Sequence, residues 1–380
     1  MSPHSARLPG GVALLDRWEA LGRPFRVLPR GAARVILVVL AALMVWSAIA
    51  AAPVDQAERQ RITAKAVHTQ PGKAKGDLAL YSRIAARVSA GEGYYPAAMD
   101  EQRASNYPTR PFVAVRQPSL AWLQALIGVG GVRFAEMGLV IACLWAANLR
   151  LAALVSTPER LAALVLLALG GAAVIVPLAG LIHELWAGLW LTLALLVYRP
   201  DRWWPALFAA AMALAVRELA VPFVLLWLVF AVVARRWREA AGVAGVLAVF
   251  AVGMALHYMA VEAGRLPGDP ASQGWNAFAG FGLPLMAVSR LTGLALLPMA
   301  LAAPLAILPQ VGWVGLGGRF GLFAALWFAG LFTMVALFAR PENFYWAQLV
   351  LPAYGIGLAF APRSLFDLWQ SAAGRVSRQT

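Results

Sequence analysis

The chain has 380 residues, 61% of them hydrophobic and 13% charged, with a mean hydropathy of +0.69. Soluble domains run nearer about 25% charged, so one water-soluble fold is excluded and a bilayer, whose tails can face the apolar surface, is indicated. The net charge of +14, from 32 Lys+Arg against 18 Asp+Glu, does not point to nucleic acid, because the bases stand in short clusters between apolar runs.

The first segment, 1–34, is basic, with Arg7, Arg17, Arg23, Arg26, Arg30 and Arg34. The apolar run at 35–52 is long enough to span, and no cleavage site follows it. It is expected to be an uncleaved first helix whose N-terminus is cytoplasmic. A polar stretch, 53–118, follows as a partly folded first extracytoplasmic loop. Within it, 76–88 reads as a helix, because Asp77, Tyr81, Ile84 and Val88 share one face. Gly91, Gly93 and Pro96 then break it.

The apolar stretch 119–132 is short and Gly-rich and reads as an interfacial or re-entrant piece. Spans are expected at 134–155, 161–181, 183–198, 203–216, 219–234, 240–262, 284–308, 318–339 and 345–361. With the first helix they make an all-α polytopic membrane protein of about ten spans, one domain at 35–362. Pro284, Pro298, Pro304 and Pro309 suggest a broken helix. The tail, 363–380, is expected to form a short amphipathic cytoplasmic helix around Leu365, Leu368 and Trp369. Cys143 is the sole cysteine, so no intrachain disulfide can form.

An N-in first helix makes one set of connections cytoplasmic. These hold Arg160, then Arg199 and Arg202, then Arg235, Arg236 and Arg238, then Arg319, and finally Arg363, Arg375 and Arg378. This is the positive-inside asymmetry. It implies a multi-pass bacterial inner-membrane protein with both termini cytoplasmic. The unusual polar residues then collect on the periplasmic side: Asp77, Tyr94 and Tyr95, then Arg110, Arg116 and Gln117, then His183 and Glu184, Arg217 and Glu218, then Asp269, Gln273 and Asn276, and finally Arg340, Glu342, Asn343 and Tyr345. Ionisable side chains near membrane depth are costly and are functional candidates.

Transferring a sugar from a phosphate leaving group to a hydroxyl needs a base for the acceptor proton, which a carboxylate can be. It also needs cations for the departing phosphate, and arginine stays charged and binds two oxygens at once. Aromatic rings offer stacking faces and interfacial anchoring. Plainer readings exist for each. Asp77 suits a helix N-cap. Arg217-Glu218 suits a structural ion pair, and Arg340 suits a snorkelling anchor. Tyr94-Tyr95 suits loop packing, and His183 a satisfied interfacial site.

Four features resemble the integral-membrane glycosyltransferases of GT-C fold. They are Gly76-Asp77-x3-Tyr81 followed by Gly91-x-Gly93-Tyr94-Tyr95 in a long outer loop; Arg116-Gln117-Pro118 leading into an apolar segment; His183-Glu184-Leu-Trp186 and Arg217-Glu218 at outer helix ends; and Arg340-Pro-Glu342-Asn343-Phe-Tyr345-Trp. The resemblance covers about 30–362. It implies a polyprenyl-phosphate-linked sugar as donor and a cell-envelope glycan or lipid as acceptor. In that reading Asp77 is the base, and Arg217, Arg340 and Arg116 bind the donor phosphate. Tyr81, Tyr94, Tyr95, His183, Glu184, Glu218, Glu342, Asn343 and Tyr345 line the substrate site. The family often pairs two acids in the first loop. Here Asp77 stands alone and Asp100-Glu101 lie downstream, so no metal ligands are assigned, although a divalent metal stays open. The competing expectation is a transporter or flippase, which would place Arg217 and Glu218 mid-membrane if 203–234 were one kinked helix.

Overall fold

Long apolar runs with few charges leave the backbone one economical way to satisfy its N–H and C=O groups in lipid, the α-helix. The computed structural model describes residues 10–67, 76–172 and 179–375. Those residues are helical with short connections, apart from one isolated bridge between Arg110 and Ala271. Arg7, Arg378 and residues 173–178 of the expected span at 161–181 lie outside them.

Among the described residues, five elements are long and apolar enough to cross a membrane: Arg30–Ala64, Phe112–Leu151, Trp237–Ala263, Met299–Leu316 and Gly318–Phe338. A sixth arises if Pro341–Leu349 and Leu351–Ala373, bent by 73°, count as one. His183–Val197, Trp204–Val216, Glu218–Val233 and Gly282–Leu291 are apolar but shorter. A helix of 13 residues, such as Trp204–Val216, is about 20 Å long, against about 30 Å for a bilayer core. The chain is therefore a helical polytopic membrane protein. Five or six membrane-length elements and four shorter ones stand where about ten spans were expected.

Helix α1 is Gly10–Ala20. Helix α2 runs from Arg30 to Val67, through Pro53, well past the expected end at 52. Its polar half is laced by pairs one turn apart, Arg59 to Asp55 at 2.9 Å and Arg61 to Glu58 at 2.7 Å, which support a helix outside lipid. Two short helices follow, α3 (Asp77–Ser89) and α4 (Tyr94–Ala104). The piece expected at 119–132 is not separate. It joins the next span as α5 (Ser119–Leu151) across a kink at Gly128, whose φ of 71° only glycine adopts cheaply.

Next come α6 (Thr157–Gly170), α7 (His183–Val197), α8 (Trp204–Val216), α9 (Val221–Val233) and α10 (Trp237–Ala263). The proline-rich stretch is broken as its sequence suggests, into α11 (Gly282–Leu291), α12 (Met299–Leu305) and α13 (Leu308–Leu316). Helix α14 is Gly318–Phe338 and α15 is Leu351–Ala373. The tail is therefore no separate helix, for α15 continues through Pro362 to Ala373. Its end is tied back to the N-terminal segment by Arg23 to Asp367 at 2.5 Å and by the Ser371 hydroxyl donating to the Phe25 carbonyl at 2.8 Å.

The bundle interior holds Trp313, Phe328 and Phe360, all fully buried, while Val38, Trp145 and Leu256 stay exposed on the outside. Helices α13 and α15 touch backbone to backbone. A Cβ added at Gly312 would collide with the Gly357 carbonyl, and one at Gly315 with Ser364. Small residues at helix contacts are how apolar helices associate without a hydrophobic drive between them.

The two ends of the bundle differ. At one end Arg363 meets Glu159 at 3.0 Å, Arg319 meets Asp16, and Arg236 donates to Tyr198 at 2.6 Å. At the other end the polar candidates gather. Helices α8 and α9 reverse direction between the two ends. Trp203, before the first residue of α8, packs on Gly242, and the end of α9 leads directly into Trp237, the first residue of α10, so both far ends of the pair lie beside the first turns of α10. Arg217 and Glu218 thus sit at a turn, not within one long kinked helix.

Candidate functional site

Gly76 precedes α3 with φ 131°, and Asp77 is the first helical residue rather than the cap. There its carboxylate complements the positive end of the helix dipole. The Tyr107 hydroxyl donates to Asp77 Oδ1 at 2.7 Å. Tyr81 follows one turn later on the same face, as its spacing implied. Its hydroxyl accepts from Arg116 Nε at 2.9 Å.

Arg116 is the hub. Its Nη2 lies 3.4 Å from the Tyr345 hydroxyl and 3.4 Å from Glu184 Oε1. That same carboxylate oxygen accepts from Arg217 Nε at 2.8 Å. Arg217 also pairs with Glu218. Arg217 and Glu184 are 2% and 3% exposed. Burying them is tolerable only because each charge meets an opposite one with good geometry. The His183 ring stands edge-on to Tyr81, centroids 4.9 Å apart, and its Nδ1 faces the Leu181 carbonyl at 3.1 Å.

So one cluster unites residues from the 53–118 segment, the start of α7, the α8–α9 turn and the 3-10 helix Pro341–Leu349. Arg340 stands at its edge, paired with Glu342 at 3.2 Å and donating to Gln273 at 2.7 Å. Asn343 gives its backbone N–H to the Arg340 carbonyl at 2.8 Å. Tyr94 and Tyr95 act as supports. The Tyr94 hydroxyl donates to the Arg116 carbonyl at 2.6 Å, fixing the backbone of the hub. The Tyr95 hydroxyl meets His257 Nδ1 at 3.1 Å, and His257 Nε2 faces the Val115 carbonyl at 3.1 Å. The carbonyl requires Nε2 to carry the proton, so Nδ1 accepts from Tyr95.

Burial raises the hydroxyl pKa of Tyr81 and Tyr94, and burial together with the adjacent Asp77 raises that of Tyr107. All three hydroxyls keep their protons at neutral pH. The loop after α10 is strapped over this end. Arg103 meets Asp269 at 2.7 Å, and that bond holds the Asp269 carboxyl down to about 2. Arg110 donates to the Asp269 carbonyl at 2.7 Å.

Sequence reading missed Tyr107, Arg61, His257 and the Arg103–Asp269 strap. Arg61 lies within electrostatic reach of both Asp77 and Glu342. It would have been legible had the charge pairs at 55, 58, 59 and 61 been read as a helix continuing past the apolar run. Tyr107 carries no local signal. Among the described residues, no three His, Cys, Asp or Glu side chains converge as a metal site.

No known protein family, curated protein or solved structure matches the chain.

Proposed function

We propose that this chain is a membrane glycosyltransferase of GT-C type. It would move a sugar from a polyprenyl-phosphate-linked donor to an envelope glycan or lipid on the extracytoplasmic face of a bacterial inner membrane. The observation that carries the reading is the cluster itself: a carboxylate, Asp77, beside a half-buried guanidinium–tyrosine network at one end of an apolar helical bundle. That end combines a polar reaction site with helices a lipid tail could follow.

In this scheme the acceptor hydroxyl passes its proton to Asp77 while its oxygen bonds the anomeric carbon. The carbon–oxygen bond to the phosphate breaks, and the phosphate leaves with the electron pair. Arg116 neutralises that charge with Tyr81 and Tyr345 alongside. Arg217 takes a different part from the one its sequence suggested. With Glu184 and Glu218 both on it, it positions Glu184 and through it Arg116. Arg61 and Arg340, at the rim, guide the anionic substrate. The positive-inside pattern supports an extracytoplasmic orientation of this end. A transporter reading loses its main support, because Arg217 and Glu218 sit at a helix reversal.

Asp77→Asn tests the scheme with purified protein, a polyprenyl-phosphoryl sugar and an envelope-lipid extract as acceptor. Transfer should fall at least about 100-fold, the usual worth of a general base, with unchanged thermal stability and donor binding. Wild-type turnover by this variant would remove Asp77 as base.

A further inference from the structure

The end opposite the Asp77 cluster holds a partly open cavity of about 570 Å³, within the range of small-molecule sites. Its walls come from α1, α5, α7, α9, α14 and α15. Its lining combines aromatic rings, among them Phe223, Phe230 and Phe323, with the cations Arg150, Arg236 and Arg319.

The cations are not equivalent. Arg236 lies 3.7 Å from Glu239 and donates to Tyr198. Arg319 pairs with Asp16, and its backbone N–H donates to Glu19 at 2.6 Å. Arg23 and Arg363, also on the wall, pair with Asp367 and Glu159. Among the described residues Arg150 alone of these cations forms no ion pair, although Glu19 on the same wall lies within electrostatic reach of it. Its guanidinium lies over the Phe320 ring, 4.7 Å from the centroid, and its Nε is buried without a hydrogen bond. A half-buried guanidinium with no acid in ion-pair contact is costly unless an anion meets it.

We propose that this cavity binds an anionic phospholipid, its phosphate on Arg150 and the start of one acyl chain along the phenylalanine rings. A lipid is favoured over a soluble phosphate ester because the aromatic lining would be left wet by a headgroup alone. Helix α1 roofs the cavity through Leu15 and Glu19, and is anchored by Trp18 Nε1 donating to the Gly318 carbonyl at 3.0 Å. Lipid binding would therefore also brace α1 against α14. The proposal is independent of the glycosyltransferase reading and uses no residue of the Asp77 cluster.

The test is titration of delipidated full-length protein, wild type and Arg150→Gln, by thermal shift and native mass spectrometry. The probes are dioleoyl phosphatidylglycerol, dioleoyl phosphatidylcholine, glycerol 3-phosphate and inorganic phosphate. Phosphatidylglycerol should stabilise wild type and bind it at least about tenfold more tightly than Arg150→Gln, as expected for losing one charge-assisted contact. Phosphatidylcholine should separate the two proteins less, and neither soluble phosphate should bind. Equal phosphatidylglycerol binding by both proteins would overturn the assignment. Glycerol 3-phosphate binding as well as the lipid would make this a soluble-ester site instead. Should Arg150→Gln fold poorly, Phe230→Ala in the aromatic lining must weaken the lipid and not the soluble probes.

Discussion

Removing Arg217 should be one of the costliest single changes at this end of the protein. The guanidinium is 2% exposed and holds Glu184, itself 3% exposed, at 2.8 Å. Breaking a buried pair by deleting one partner costs about 3–5 kcal/mol, because the other charge is stranded. Two features place Arg217→Met at the lower end. Glu184 keeps Arg116 at 3.4 Å, and the Glu218 side chain is 18% exposed, so water can reach it. About 3 kcal/mol is the expected loss for Arg217→Met, and a similar loss for Glu184→Leu.

The double variant removes both charges and leaves an apolar patch, so it should cost less than the sum of the singles by about 1–3 kcal/mol. Titration of unfolding with dodecyl sulfate in mixed micelles measures all four proteins. Single-variant losses under about 1 kcal/mol that simply add would match a solvent-exposed pair. That result would refute a buried network centred on Glu184.

Two further outcomes follow from the same geometry. The Asp269 carboxyl is held at about 2 in the folded chain by Arg103, against an ordinary 3.8. A depressed carboxylate adds stability above its ordinary value and loses it as pH falls toward the folded value. The stability gap between wild type and Asp269→Asn should therefore be full at pH 6 and close between about pH 4 and 2; a gap that persists at pH 2 would contradict the strap. Tyr107→Phe removes one hydroxyl donor to Asp77 and should cost about 0.5–1.5 kcal/mol of stability while slowing transfer. Unchanged transfer would show that Tyr107 does not orient Asp77.

Much of the architecture was legible where hydropathy and charge agreed. The helix starting at Asp77, the break among Pro284, Pro298, Pro304 and Pro309, and the turn at Arg217 all follow from local chemistry. Element ends were misread where composition changes inside a continuous helix. Helix α2 passes from lipid-type to charged sequence without stopping, because side-chain pairs one turn apart replace apolar packing. Helix α5 survives Gly128 because glycine can turn and let the helix resume. At the site, the convergence of Asp77, Tyr81, Arg116, Glu184 and Arg217 was legible as sidedness alone. Their partners were not. Nothing in the sequence says that Glu184 lies between two arginines, or that Tyr107 reaches back to Asp77, since both contacts join segments about 30 or more residues apart.

The most direct test of the central claim is native mass spectrometry of the protein purified from its own membranes, wild type beside Arg116→Gln. The account predicts a co-purifying polyprenyl phosphate or its glycoside on wild type, strongly reduced in the variant, with other bound lipids unchanged. Bulk phospholipid alone on both proteins would contradict a lipid-phosphate donor site at Arg116.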